Sequence, residues 1–253
     1  MKSTTCNHKR ERSETTISLT LPTSWQTLTV RQLRYVFFLL SQGYTATELK
    51  TYCLLRWANI TVINSDRQFY LVRYQKHSYR LTALQIAELL PYLDFLDTIP
   101  ATPICLPVIN KCRAVSPDLD GVPFRDYLIC DNIYTGFLQT RNDTLLHDIA
   151  AILYRTDRLR LKPEETLSIF YWFASLKNYY RNRFPSLFSP STTTDTAPIQ
   201  QRLQAAMDNQ IRALTHGDIT KETQVLTSDT LRALTELDAL AHDYQQLQKD
   251  TQR

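Results

Sequence analysis

"SIFYWFASLKNYYRNRFPSLF", residues 168–188, sets seven aromatic and three cationic side chains in its first seventeen positions. Rings and cations interleaved on one exposed surface would stack bases and hold phosphates. Rings gathered on one helical stripe would fill a core instead. The spacing decides between the two. Ile169, Trp172, Phe173, Leu176, Tyr179 and Tyr180 recur every three or four residues and Phe184 continues them, so this segment is predicted to be the central helix of a folded body. Tyr171, Ser175, Asn178 and Asn182 fall on a polar face, with Phe170, Lys177 and Arg181 on the edge between. Phe170, Tyr171, Lys177 and Arg181 are therefore a candidate partner-binding surface. Just upstream, Lys162–Pro163–Glu164–Glu165 puts proline in the first turn and acids at the positive end of the helix dipole.

Working outward, one N-terminal device occurs three times. Thr29 with Gln32, Thr45 with Glu48 and Thr82 with Gln85 are capping boxes, in which hydroxyl and acid or amide satisfy free backbone N–H groups reciprocally. Each opens a run with helical spacing: Leu33, Val36, Phe37 and Leu40 in the first; Leu49, Cys53 and Trp57 in the second; "ALQIAELL", interrupted by Pro91, in the third. Between the second and third, "ITVIN", "QFYLVRY" and "YRLT" alternate and predict an antiparallel β-meander over about 60–82. "TISLTLP" predicts a short edge strand closed by Pro22, and the proline-rich "DTIPATPICLPVI" an extended surface connection. Further helices are expected over about 123–139 and 143–154. The fold class is mainly α (α+β).

The predicted organisation is a flexible tail at 1–15, a body at 16–188, a linker at 189–198 ("SPSTTTDTAP") and a C-terminal helical hairpin at 199–253. In the second helix of that hairpin Ala233, Leu237, Leu240, Tyr244 and Leu247 are spaced four, three, four, three, a coiled-coil-like seam. Leu237, Leu240 and Tyr244 join the candidate partner-binding residues.

Composition excludes several activities. The four glycines, Gly43, Gly121, Gly136 and Gly217, are too scattered for the loops that wrap phosphates in Rossmann and P-loop proteins. Five cysteines form no CxxC pair, and the five histidines lack partners at metal-ligand spacing. Asp118 and Asp120 precede Gly121 as in a calcium loop, but Ile129 stands where the bidentate acid belongs, so turn capping is expected of them. Ser168 and Ser175 have no base nearby, and no catalytic, cofactor-binding or metal-ligating residue is assigned. The chain carries 29 Lys/Arg and 25 Asp/Glu, unevenly: residues 191–253 hold six basic and nine acidic residues, leaving 23 and 16 in 1–190. A basic body fits an anionic partner or attraction between the two parts. The polar N-terminus and the lack of a long apolar run predict a cytoplasmic chain without a membrane partner.

Nucleic-acid binding has two sequence-level candidates. "RQFYLVRYQKHSYR" places Arg67, Arg73, Lys76, His77 and Arg80 among Phe69, Tyr70, Tyr74 and Tyr79, although alternation alone gives any half-buried hairpin one solvated face. The helix pair at 29–57, joined at Gly43, has the outline of a helix-turn-helix. Leu39 is bulky where that motif wants a small residue, and Lys50 and Arg56 make a sparse recognition face, so a plain helical hairpin is expected.

Taken in order, "LPTSWQTLTVRQLRYVFFLL" (21–40), "ELKTYCLLRW" (48–57), "FYWFASLKNYYRNRFPSLF" (170–188) and "HGDITKETQVLTSDTLRALTELDALAHDY" (216–244) resemble proteins of the structural, and particularly tail, gene region of tailed phages and prophages. A strand followed by "LTVRQL" is similar to the opening of tail-assembly chaperones. The resemblance implies a non-enzymatic role in virion assembly, in the host cytoplasm or the virion, with another phage structural protein or a second copy as partner. It rests on packing and turn motifs, so it transfers no functional residues, and the basic N-terminus has no counterpart in it.

Overall fold

A computed structural model describes residues 19–66, 69–157, 159–188 and 199–251, with side chains of the last stretch from residue 204. The expected tail at 1–15 and linker at 189–198 lie outside the described residues. Helices α1 (Val30–Ser41) and α2 (Ala46–Trp57) open on the predicted devices. Gln32 N donates to Thr29 Oγ1 at 3.3 Å while Thr29 N donates to Gln32 Oε1 at 2.9 Å, and Glu48 and Thr45 repeat the exchange. Gly43 turns the chain between them at φ 76°, where a Cβ would be strained.

Strands β1 (Ile60–Ser65), β2 (Tyr70–Tyr74) and β3 (His77–Leu81) form the predicted meander, antiparallel in the order β1-β2-β3. Its second turn is tighter than the sequence reading. Gln75 takes φ 53°, so His77 pairs with Tyr74 and already belongs to β3. Thr82 and Gln85 cap α3 (Ala83–Ala87), and Pro91 lies in the first turn of a 3-10 helix over Leu90–Asp97. Of the expected edge strand at 16–22, residues 16–18 lie outside the described residues; Leu19–Pro22 pair with no strand, which corrects that part, and Leu21 packs against the core.

Residues 98–107 also depart from expectation. Ile104 and Leu106 are buried, so part of this proline-rich stretch dips into the core, while Thr98, Ala101, Thr102 and Pro107 stay exposed as expected. It can do so because distant side chains satisfy its backbone: Ile104 N donates to Ser175 Oγ at 3.3 Å and Leu106 O accepts from Tyr154 Oη at 2.5 Å. A small hairpin follows, β4 (Val108–Ile109) and β5 (Cys112–Arg113).

Helices α4 (Phe124–Thr140), α5 (Thr144–Leu153) and α6 (Pro163–Arg183) complete the body. As its spacing predicts, α6 is the central element: Ile169, Trp172, Phe173, Leu176 and Tyr180 are each 0% exposed. The predicted polar face is not solvated throughout, because Ser175 is also 0% exposed. Trp172 Nε1 donates to Pro117 O and Tyr180 Oη to Asp118 O, both at 2.7 Å, so the buried rings tie down the loop before α4. Within that loop Asp118 accepts from Ser116 Oγ and Asp120 N, the turn-capping work expected of it.

The C-terminal stretch holds α7 (Ile199–Thr215), a short α8 (Glu222–Thr227) and α9 (Thr230–Thr251), three helices where the sequence reading had two. It is joined to the body by backbone. Phe124 N donates to Ser228 O, Thr230 N to Val122 O, and Pro123 forms a β-bridge with Asp229. Asp229 divides its carboxylate: Oδ1 caps α9 through Arg232 N at 3.0 Å, and Oδ2 accepts from Gly121 N at 2.6 Å.

Replacing Trp172 by Ala removes a fully buried ring and its hydrogen bond to Pro117 O, so we expect a loss of about 3–5 kcal/mol in urea unfolding. Trp172→Phe should lose about 1–3 kcal/mol, the hydrogen bond being its main deficit. A loss below about 1 kcal/mol for the Ala variant would contradict the central placement of α6.

Candidate functional site

The edge of α6 singled out from the sequence is largely consumed inside the molecule. Tyr171 lies 5.6 Å from the Trp25 ring and 5.4 Å from Phe37, welding α6 to α1. Phe170 lies 6.1 Å from Tyr134 and 5.7 Å from Phe137 on α4. Both are half-buried, because helices on either side cover positions that a single helical wheel assigns to solvent. Lys177 pairs with Asp131 at 2.6 Å and sits over Phe188 at 5.1 Å. Arg181 alone of the four is exposed without an ion pair among the described residues.

Of the two cations of the helix-turn-helix outline, Lys50 is consumed as well. Lys50, 9% exposed, holds Asp94 and Asp97 at 2.7 Å each and so fastens α2 to the 3-10 helix. Burial alone would lower its pKa, but those two carboxylates outweigh it and raise it. Arg56 lies 4.1 Å over the Tyr35 ring but is exposed and in no ion pair among the described residues.

The meander separates its rings from its cations. The pairings Leu71–Arg80 and Arg73–Ser78 put Arg73 and Arg80 on one face with Thr61, while Tyr70, Val72, Tyr74 and Tyr79 alternate to the other, against the body. Arg73, Lys76 and Arg80 are exposed and have no ion pair among the described residues, but no stacking platform accompanies them. Arg67 lies outside the described residues.

The α9 seam changes character along its length. Ala233 and Leu237 are buried against the body and Leu240 is half-buried, whereas Tyr244 and Leu247 are 64% and 66% exposed. Leu237 is therefore core, and Tyr244 stands free. Leu187 N donates to Asp238 Oδ1 at 2.8 Å and Gln245 Nε2 to Ser186 O at 3.2 Å, so the helix remains anchored as the seam emerges. Glu236, Asp243 and Asp250, spaced seven apart and exposed, form an acidic line beside it.

A cleft of about 540 Å³ opens where the ends of α1 and α4 meet the starts of α5 and α6, with Leu40, Phe137 and Phe170 on its walls and Arg141, Asp143, His147 and Thr166 among its polar groups. His147 Nε2 is 3.2 Å from Thr166 Oγ1, which also lies 3.2 Å from Lys162 O. A hydroxyl has one proton. Given to that carbonyl, it leaves the ring nitrogen as donor, the reverse of what activates a nucleophile. Among the described residues no group of three or more His, Cys, Asp or Glu could hold a metal, and no helix is long and apolar enough to cross a membrane. Comparison with family models, curated proteins and solved structures finds no match.

The buried thiols and phenols of this frame predict an alkaline limit to stability. Burial pushes Cys53 and Cys105 from 9.0 up to about 12, and Tyr134 from 10.0 up to about 12. The folded state holds these protons after the unfolded chain has released them. Their contribution is thus complete below about pH 9 and is lost as pH rises through about 12. The urea midpoint should fall steadily from pH 9 to 11, with a shallower fall for Cys53→Ala; a flat profile would contradict the burial.

Proposed function

We propose that the chain is a non-enzymatic interaction protein serving virion assembly, as a chaperone or structural accessory of a phage tail. The observation that carries the interaction reading is the emergence of the α9 seam. Leu240, Tyr244 and Leu247 continue, at unchanged spacing, a stripe whose first half is core, and an anchored helix presents them to solvent. Exposed apolar side chains continuous with a packed seam are the form an interaction site takes on a helical protein. The tail assignment rests on the order of segments that resembles phage tail-region proteins.

The acidic line specifies the partner further. Pairing two copies of α9 antiparallel would set Glu236, Asp243 and Asp250 against each other, and parallel pairing would set them against Ala241 and Gln248, without counter-charge. The seam suits an amphipathic helix whose apolar stripe is flanked by Lys or Arg.

Deleting the C-terminal helices is a poor test, since Leu234 and Leu237 belong to the core. Tyr244→Ser with Leu247→Ser should leave thermal unfolding within about 1–2 °C of the parent, because both residues are largely exposed. Tagged full-length chain would be captured from virion-producing cells and its companions identified by mass spectrometry. A virion structural protein should accompany the parent and fall about tenfold with the double variant. Equal capture by both would contradict the seam, and companions without any virion protein would contradict the assembly role.

A further inference from the structure

The β4–β5 hairpin carries lysine at a position shaped for glycine. Its two loop residues, Asn110 and Lys111, have φ 47° and 70°, the left-handed pair of a type I′ turn. Asparagine tolerates that region; lysine is strained in it, and glycine would not be. The hairpin is also held at both ends. Arg34 Nη2 donates to Val108 O at its base, and Asn110 Nδ2 donates to Arg160 O at 2.6 Å at its tip. That second bond brings the hairpin against the segment leading into α6. Lys111, Arg113, Arg160 and Lys162 thus lie within three residues of one hydrogen bond, all exposed and none in an ion pair among the described residues.

The acids nearby do not neutralise them. Glu165 is buried and already paired with Arg34 at 3.2 Å, Glu164 is half-buried at the start of α6, and Asp157 is exposed three residues before Arg160. We propose that the hairpin tip and the 160–162 segment form a binding site for the phosphate backbone of duplex nucleic acid. The tip itself offers a protein partner little apolar area: among the described residues of this hairpin and of 154–162, Val108, at 40%, is the one large exposed apolar side chain, and Val30 and Phe38 lie on α1 one turn either side of Arg34 at the hairpin's base. A single strand would find no exposed ring on the described residues of these two segments, where Tyr154 is 3% exposed. Unpaired Lys and Arg on a backbone held at two points, with no ring beside them on these segments, suit phosphates along a duplex. The site is separate from Arg73, Lys76 and Arg80 on the meander and from the α9 seam, and does not depend on the role proposed for that seam.

Lys111→Gly provides a test that misfolding cannot imitate, because it relieves strain while removing a charge. Affinity of the full chain for a fluorescein-labelled 20-base-pair duplex would be followed by anisotropy over a salt series, beside Arg160→Gln/Lys162→Gln and, as a control, Arg73→Gln/Arg80→Gln. Four phosphate contacts predict a slope of log affinity on log salt of roughly −3 to −4. Lys111→Gly should raise Tm by about 2–4 °C yet weaken binding several-fold and reduce the slope by about 1. The Arg160/Lys162 pair should weaken binding more, and the meander pair little. The proposal is overturned by absent or salt-independent binding, by unchanged affinity in Lys111→Gly, by a loss confined to the meander variant, or by polyglutamate of equal charge binding as tightly as the duplex.

Discussion

Burying α6 obliges three polar atoms to find partners within the protein, and much of the fold follows from where they find them. Ser175 Oγ accepts from Ile104 N, Trp172 Nε1 donates to Pro117 O, and Tyr180 Oη donates to Asp118 O. An unmet partner in each case would cost about 1–3 kcal/mol. The same three contacts fix two irregular points of the chain, Ile104 and residues 117–118, that belong to no regular element. The aromatic helix thus acts as a core in the usual sense and also as a jig for loops.

From those loops the constraint passes to the C-terminal helices. The loop fixed by Trp172 and Tyr180 leads directly into Gly121, Val122 and Phe124, whose backbone groups meet Asp229, Thr230 and Ser228. The start of α9 is therefore set by the position of α6, two contacts removed. Asp229 is the joint, since its two oxygens serve both sides. A helix fixed so firmly at its start can carry exposed apolar residues at its far end without collapsing onto the body, and this is the physical basis for reading Tyr244 and Leu247 as a presented surface.

Much of this was legible in the sequence wherever the cause is local. Capping boxes involve residues three apart, a meander reveals itself by alternation, and the apolar stripe of α6 recurs every three or four residues. All three survive folding because nothing distant competes with them. The failures share the opposite property. Ile104 and Leu106 became core through Ser175 and Tyr154, some 50–70 positions away, which no window could register. Phe170 and Tyr171 read as an edge because a single wheel does not know that α1 and α4 flank it. Lys50 read as a surface cation because its acids, Asp94 and Asp97, belong to a 3-10 helix that periodicity does not describe. The β4–β5 hairpin was missed because its turn lacks the glycine by which such turns are recognised. The α9 seam was visible as spacing, but where its burial ends is a tertiary fact.

The central claim is that the C-terminal helices belong to the same cooperative unit as α6, held through residues 117–124 and Asp229. Native-state hydrogen exchange tests it most directly. If the account holds, the amides of Gly121, Phe124 and Thr230 and those of the first turns of α9 exchange only through the same global opening as the amides of α6, with matching free energies and denaturant dependence. If residues 228–237 instead exchange through a lower-energy opening while α6 stays protected, the C-terminal helices are an independent unit and the account is wrong.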